Sequence, residues 1–559
     1  MKTFKRAHQN AEQSAIILML STIAVKIIGA CFKIPLSSRW FLGDLGFGYF
    51  SVVYDLFMPF YTLAISGLPT ALSHIIAEFA AQKRFKDIKN TFSLTRKLFI
   101  LFGALFSVVI SLLAIPFIYL TDTSGNTLYS VYAVIPSIFL CFMISVYRGY
   151  YEGFKNMYPT AVSKIIEAFG KLILGLSFAF IVIKLTENPA LAAGAAMFGI
   201  TVGTLVSTIY LHINYKINGD LITKDELEQS PSVLTNKKTI KIILSLAIPM
   251  ALSSLISSAV SVIDALTVRT LLEKEVPVLM QTYCKAIESY NSYYKVDFLA
   301  GDLPTFLYGL RSKAFTLFNL VPTITISFGV GALPVLSECW IKKDNSGVKT
   351  NLNLIIKMIS LVVLPAGIAF IAVGKPIMSL LYSSYGSINI GGNLLTIFGF
   401  SAIFAGFAIP LTSVLQSLDR QFIALANILI GVVLKVVLNI LLINNTAINI
   451  YGAAISTTVC YLYIFIAHTY KILKITGRIK NIANILLKPL FAAMCSSATA
   501  YLICLISNSK TTIICGILAA VLVYVVVIFA LKTLSKEEIL DLPNGQKLYL
   551  LAKKIKIMN

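Results

Sequence analysis

Charge is scarce in this chain. Charged residues make up 13% of its 559 positions, with 25 Asp and Glu set against 47 Lys and Arg. A soluble domain carries roughly 25% charged residues, so a water-soluble enzyme and a solvated disordered chain are both excluded. Histidine occurs only four times, at 8, 74, 212 and 468, too dispersed to suggest a metal site. The eight cysteines contain no C-x-x-C, and seven lie in or beside apolar runs, where Cys behaves as a small hydrophobe. No disulfide framework is implied. There is no G-x-x-x-x-G-K-[ST] loop, so no ATPase is built in, and Gly329-Val330-Gly331 lies inside an apolar run, unlike a dinucleotide fingerprint. No Ser/His/Asp or Cys/His arrangement stands out. The chain reads as a non-enzyme without cofactor or metal.

What remains is apolar. Hydrophobic residues reach 57% and the mean hydropathy is +0.82. A helix needs about 20 apolar residues to cross ~30 Å of hydrocarbon, and that window finds about 14 candidate spans. They lie near 14–35, 47–79, 97–120, 127–147, 159–183, 190–213, 242–269, 311–336, 352–373, 393–415, 422–443, 450–470, 488–507 and 511–531. The second is long and is interrupted at Ser66-Gly67-Leu68-Pro69. Lys26 and Lys33 interrupt the first, and no A-x-A site follows it, so it is read as an uncleaved helix and not a signal peptide.

The net charge of +22 is distributed by side. Alternate connections carry Lys83, Arg84, Lys86 and Lys89, then Arg148 and Lys155, then Lys237, Lys238 and Lys241, and so on to a basic tail. The opposite connections at 121–126, 185–189 and 444–449 contain no Lys or Arg. This is the positive-inside pattern. It puts both termini in the cytoplasm of a multi-pass protein of a bacterial cytoplasmic membrane. The basic residues report topology, and nucleic acid is not an expected partner.

Three local matches recur about 260 residues apart, the kind of self-similarity sought before any motif. Leu68-Pro69 with Leu72-Ser73 matches Leu333-Pro334 with Leu336-Ser337, and Gly194-Ala195-Ala196 matches Gly452-Ala453-Ala454. Setting Gly153 against Ser417 places Lys171 on Lys435. A six-helix repeat returns the chain to its starting side, so the copies are parallel and the substrate path is expected between them. The expected architecture is all-α: two parallel six-helix lobes plus two C-terminal helices. The lobes are 1–215 and 241–474, joined by a cytoplasmic linker at 216–240, and 475–559 holds the extra helices and tail. An outer insertion at 270–310 is mixed in charge and rich in Tyr. It reads as a solvated segment with an amphipathic helix more readily than as a lid or docking site.

An ionisable residue at bilayer depth costs at least ~2.5–3.5 kcal/mol, so each needs a reason. Lys26, Lys171 and Lys435 lie about 12 residues into their spans, ~20 Å along each helix, too deep to reach the interface readily. They are expected to face an aqueous cavity. Lys164, Glu167 and Lys171 share one helix face at i, i+3 and i+7 spacing, as Lys26 and Lys33 do. Asp55, Asp264, Arg269 and Arg311 fall toward the outer halves of the second, seventh and eighth spans. Asp55, Glu167 and Asp264 are candidates for ion coupling or for pairing with the cations. Gly67, Pro69, Pro249 and Pro334 are candidate hinges. A net-positive cavity favours an anionic substrate, since ammonium and guanidinium groups bind phosphate and carboxylate.

Longer motifs point to a family. Lys33-Ile34-Pro35-Leu36, Gly46-Phe47-Gly48 and Ser66 through Ser73 resemble the polysaccharide-export branch of the MOP flippase superfamily. Leu307-Tyr308-Gly309, Asn319 to Pro322, Ala332-Leu333-Pro334 with Ser337-Glu338, Tyr451 to Ala454 and Leu542 to Gly545 fit as well. Within the branch the chain is most similar to the stage V sporulation protein B and MurJ types. The resemblance implies two six-helix lobes around a cationic cavity, with a groove beside the last two helices for a polyprenyl tail. It implies an undecaprenyl-diphosphate-linked saccharide, such as lipid II, as substrate. Cavity arginines of the MurJ type lie on the first, second and eighth helices. Lys26 and Lys33 match the first-helix positions and Arg311 the eighth. Around Phe60 and Tyr61 the second-helix position is apolar, a departure from the pattern.

The expected cationic site is therefore Lys26, Lys33, Lys171, Arg269, Arg311 and Lys435, serving a flippase for cell-wall or spore-cortex peptidoglycan. Its partners would be a lipid-linked anionic oligosaccharide, membrane lipid, a coupling ion and cell-wall synthesis proteins. Two other readings stand beside it: a cation-coupled drug or metabolite exporter of the same fold, and a non-transporting scaffold for envelope synthesis.

Overall fold

The computed structural model describes residues 11–121, 125–218, 221–231, 233–294, 298–382, 387–477, 481–507 and 509–533. At 11–16, 18–19, 66, 117–121, 218, 249–260, 293–294, 330–331 and 333–334 only the backbone is described. Among the described residues the structure is helical and contains no strand. Long apolar runs leave the backbone no partner in hydrocarbon but itself, and helices satisfy it locally.

The first compact unit comprises Met1–Cys284 and Val296–Gly309. Its helices are α1 (Ala11–Leu36), α2 (Gly43–Thr62), α3 (Leu68–Ala81), α4 (Phe85–Thr121), α5 (Leu128–Gly153), α6 (Tyr158–Thr186), α7 (Pro189–Asn218), α8 (Lys224–Glu228), α9 (Asn236–Glu273) and α10 (Val276–Thr282). The second unit comprises Lys285–Lys295 and Leu310–Asn559. Its helices are α11 (Cys284–Tyr294), most of α12 (Leu303–Phe318), α13 (Leu320–Ile341), α14 (Asn345–Tyr382), α15 (Ile388–Ser417), α16 (Gln421–Ile443), α17 (Tyr451–Thr476), α18 (Lys488–Ile506) and α19 (Lys510–Ala530). Eleven helices, counted among the described residues, are long and apolar enough to cross a membrane. The segments 14–35, 242–269 and 311–336 fall on α1, α9 and α12–α13, which are helical but not among the eleven. Rows of large apolar side chains lie exposed on α4 (Leu101, Leu112), α16 (Val433, Leu441) and α19 (Leu518, Leu522), surface that suits a lipid environment and not water.

In the first unit, α6 and α7 meet through glycine. A Cβ at Gly170 would come within 2.6 Å of the Gly203 Cα, and one at Gly199 within 2.3 Å of the Gly175 Cα. Small residues let membrane helices approach closely, where packing and not the hydrophobic effect drives association. The side chain of Phe32 on α1 fills the notch beside Gly175 and is wholly buried. That contact docks α1 on α6.

The interruption expected at Ser66-Gly67-Leu68-Pro69 is not a break. A single π-helical turn, Leu63–Gly67, carries α2 into α3, and Pro69 sits in the first turn of α3, where its missing N–H costs little. The segment 216–240, expected to join two lobes, lies within the first unit and is fastened to it. Asp87 accepts from the Leu234 backbone N–H at 2.7 Å, and the Ser230 hydroxyl accepts from the Lys86 backbone N–H at 3.0 Å. Within it, Thr223 and Glu226 form a reciprocal capping box on α8. The insertion 270–310 is mostly helical; α11 buries Ala286, Ile287 and Tyr290 and exposes Lys285 and Glu288, as an amphipathic helix does.

Candidate functional site

Because Phe32 seats α1 against α6, the neighbouring Lys33 and the Lys171 of α6 approach the same ring. The Lys33 ammonium lies 3.8 Å from the ring centroid of Tyr54 on α2, and that of Lys171 lies 4.7 Å from it. Lys171 also donates to the Tyr54 hydroxyl at 3.2 Å and lies 5.2 Å from the Phe32 ring centroid. Tyr54 is in turn stacked on Phe50, with centroids 5.5 Å apart. Both lysines are half-buried. Lys26, two turns before Lys33 on the same face of α1, is exposed. Between them on that face lies Gly29, where an added Cβ would meet nothing within 4 Å. The α1 face carrying Lys26 and Lys33 is therefore flanked by open space.

Glu167 is one turn from Lys171 and is the obvious acid to neutralise it. It is already engaged. Arg148 donates to its Oε2 at 2.9 Å as a salt bridge, and the Tyr61 hydroxyl donates to its Oε1 at 2.7 Å. Arg148, fully buried in α5, also donates to the Ser163 hydroxyl at 2.9 Å. The assignment of Arg148 to a cytoplasmic connection is thereby corrected. The helix runs to Gly153, beyond the expected end at 147, because the polar side chain is matched inside the bundle and needs no water. Tyr61, at the apolar departure from the family pattern, serves this pair.

Two further acids of the first unit are held by tyrosines. Tyr308 on α12 donates to Asp55 on α2 at 2.7 Å, and Tyr49 on α2 donates to Asp302 at 2.6 Å, so each segment gives one phenol and one carboxylate. Asn126 donates to the Tyr49 hydroxyl at 3.0 Å. Backbone contact between the two segments is tight, since a Cβ at Gly48 would lie 2.1 Å from the Thr305 carbonyl oxygen and one at Gly309 would lie 2.1 Å from that of Asp44. Asp264 and Arg269, both on α9, are buried and lie away from solvent.

In the second unit Lys435, Asn439 and Arg311 are enclosed. Lys435 has no exposed surface and donates to the Thr457 hydroxyl on α17 at 2.6 Å, so the aqueous exposure expected of it is not seen. The physical reason is a hydroxyl one helix away that solvates the ammonium internally. Asn439, one turn on, accepts from Ser456 at 2.5 Å. Arg311 is buried with its guanidinium 4.1 Å from the Phe315 ring centroid, and the neighbouring Lys313 lies 5.2 Å from that of Tyr382. The hinge positions Pro249 and Pro334 have side chains outside the described residues, while the backbones of α9 and α13 continue through them. A bend that the hinge list misses occurs in α14, where Val373 leaves helical geometry (φ −123°, ψ 28°). The signal was Gly374-Lys375-Pro376: proline removes the i−4 hydrogen bond there.

The structure thus brings together Lys33, Lys171 and Tyr54, with Lys26 along the same open face. Phe32, Tyr54, Tyr61 and Arg148 escape sequence reasoning, since an aromatic in an apolar span looks like packing and an arginine near a span end looks like a loop charge. Among the described residues no group of three or more His, Cys, Asp or Glu could hold a metal ion.

Residues 12–340 match the family described as polysaccharide biosynthesis protein, and residues 316–527 match the family described as lipid II flippase MurJ. The chain is 24% identical over 547 residues to stage V sporulation protein B of Bacillus subtilis (strain 168), covering 96% of this chain and 98% of the relative. It is 26% identical over 483 residues to the lipid II flippase MurJ of the same organism, covering 82% of this chain and 84% of the relative. A solved structure of lipid II flippase MurJ in an inward closed conformation superposes with a TM-score of 0.65 at 13% identity, covering 92% of this chain and 98% of that one. With a family match over more than half its length and this fold, the chain is a multi-pass membrane protein that belongs to the polysaccharide biosynthesis protein family of the MOP flippase superfamily.

Proposed function

We propose that this protein is a flippase that moves an undecaprenyl-diphosphate-linked saccharide, foremost lipid II for cell-wall or spore-cortex peptidoglycan, across the cytoplasmic membrane of a bacterium by alternating access. The observation that carries this reading is the set Lys26, Lys33 and Lys171. Lys26 is exposed and Lys33 and Lys171 are half-buried residues, none is in an ion pair among the described residues, and open space adjoins Gly29 between the first two. A diphosphate supplies the missing negative charge, and a sugar headgroup needs the room. The likeness to the lipid II flippase MurJ supports the same substrate class.

Lysine holds phosphate as a point charge, without the bidentate fork of arginine. Headgroup capture here relies on several ammonium groups arranged in space. With no ATP-binding loop in the sequence, uphill movement draws on an ion gradient or the membrane potential. The reading retains about 14 spans of the required length, with both termini cytoplasmic. A cation-coupled exporter needs acids available to bind its ion. Asp55 and Glu167 instead accept hydrogen bonds from Tyr308, Arg148 and Tyr61, which favours the anionic substrate.

The test is translocation of labelled lipid II in proteoliposomes, with and without an imposed potential. Transport by the intact protein is expected, with loss in Lys26→Ala and slowing in Gly29→Leu, which fills the open flank without changing charge. Absence of transport under every imposed gradient, or full transport by a Lys26→Ala/Lys33→Ala double variant, would overturn the proposal.

A further inference from the structure

The three ammonium groups of the α1–α6 site are not held alike. Lys26 and Lys33 make no hydrogen bond among the described residues, whereas Lys171 is drawn to the Tyr54 hydroxyl at 3.2 Å. Left to itself, Lys171 has a nearer electrostatic choice, because Glu167 lies one turn back on the same face of α6, the spacing at which side chains of opposite charge pair. Glu167 is drawn elsewhere: each of its oxygens already accepts a hydrogen bond, one from Arg148 and one from Tyr61. Tyr54 then offers Lys171 a hydroxyl and offers Lys33 a ring face, where a cation is stabilised by the aromatic quadrupole. One side chain so collects two like charges from different helices that would otherwise repel, and it does so without neutralising either.

Resting on the reading of this site as the headgroup-binding one, we propose that Tyr54 is a positioning residue for the substrate. It holds the ammonium groups of Lys33 and Lys171 as a preorganised pair for the diphosphate. The hydroxyl places Lys171, the ring places Lys33, and the Phe50 ring stacked behind Tyr54 fixes the platform. The next residue, Asp55, is bonded to Tyr308, so the backbone that carries the platform is also anchored to the start of α12. Arg148 and Tyr61 act one step further out, by keeping Glu167 from capturing Lys171.

The two functions of Tyr54 separate by substitution. Tyr54→Phe keeps the ring for Lys33 and removes the hydroxyl for Lys171; Tyr54→Leu removes both. The measurement is binding of radiolabelled undecaprenyl diphosphate to the full chain in phosphatidylcholine nanodiscs, for Tyr54→Phe, Lys33→Gln, Lys171→Gln and the double variants. Tyr54→Phe is expected to weaken binding about tenfold, the scale of one hydrogen bond to a charged group. It should have no further effect in the Lys171→Gln background and its full effect in the Lys33→Gln background, a coupling that general loss of structure would not reproduce. Tyr54→Leu should lose more than Tyr54→Phe; if it does not fold, the Tyr54→Phe cycle decides alone. Wild-type binding by Tyr54→Phe, or an equal loss in both lysine backgrounds, overturns the positioning role while leaving the cationic site intact. Wild-type binding by both Lys33→Gln and Lys171→Gln overturns the site itself and the positioning role with it.

Discussion

Two kinds of buried charge coexist within one turn of α6, and they predict opposite phenotypes. Glu167 belongs to a closed network with Arg148 and Tyr61, and removing one partner strands the other in a medium that solvates it poorly. Arg148→Gln is expected to destabilise the protein by about 3–5 kcal/mol, the usual penalty for breaking a buried pair. Lys171→Gln, at a half-buried residue outside that network, should change stability by less than about 1 kcal/mol while weakening substrate transport. Thermal unfolding of the two purified variants checks the contrast; equal melting temperatures would show that the Arg148 pair contributes nothing to the fold. The lysines within apolar runs were legible from sequence, because an apolar run advertises any charge in it. The partner that decides whether such a lysine is available was not legible, because it comes from another helix.

Glycine and hydroxyl placement make corresponding helix pairs behave differently. The repeat expected from the sequence sets Lys171 against Lys435, and the register of the two Gly-Ala-Ala segments sets Gly199 against Thr457. Thr457 solvates Lys435 and seals it in the second unit. Gly199 has no hydroxyl to offer and brings α7 against Gly175 of α6, and Lys171 donates to Tyr54 of α2 instead. A second pair of glycines, Gly48 and Gly309, allows the start of α12 to lie against α2 and form both Tyr–Asp bonds. A methyl group there must displace backbone, since its neighbour is a carbonyl oxygen and not the end of a flexible side chain. Gly309→Ala is expected to cost about 1–3 kcal/mol, as overpacking does, and to separate Tyr308 from Asp55. Thermal unfolding of the purified Gly309→Ala variant checks the cost: a lowered melting temperature is expected. An unchanged melting temperature would show that the contact tolerates a side chain. The interrupted second span illustrates the limit of reading single elements, because Gly67 and Pro69 suggest a break that a π turn absorbs.

At the scale of the whole chain, the transporter and scaffold readings differ in what they ask of the insertion 270–310. Deleting Lys285–Lys295, most of α11, and closing the gap with a short Gly/Ser linker should leave measurable lipid II translocation in proteoliposomes if transport is the function. Complete loss of translocation in a variant that still folds, with wild-type transport otherwise established, would make the insertion part of the transport machinery. Composition and hydrophobic period by themselves determined that this is a helical, multi-pass membrane protein, because water and hydrocarbon sort residues by transfer energy whatever their neighbours are. They also marked which lysines interrupt apolar runs. Only the tertiary structure decided which of those lysines remain available. The seating of Phe32 at Gly175, the occupation of Glu167 by Arg148 and Tyr61, and the capture of Lys435 by Thr457 all depend on helix contacts within a few ångströms. Electrostatic and hydrogen-bond energies vary steeply over that range, and a one-dimensional pattern of polarity carries no such distances.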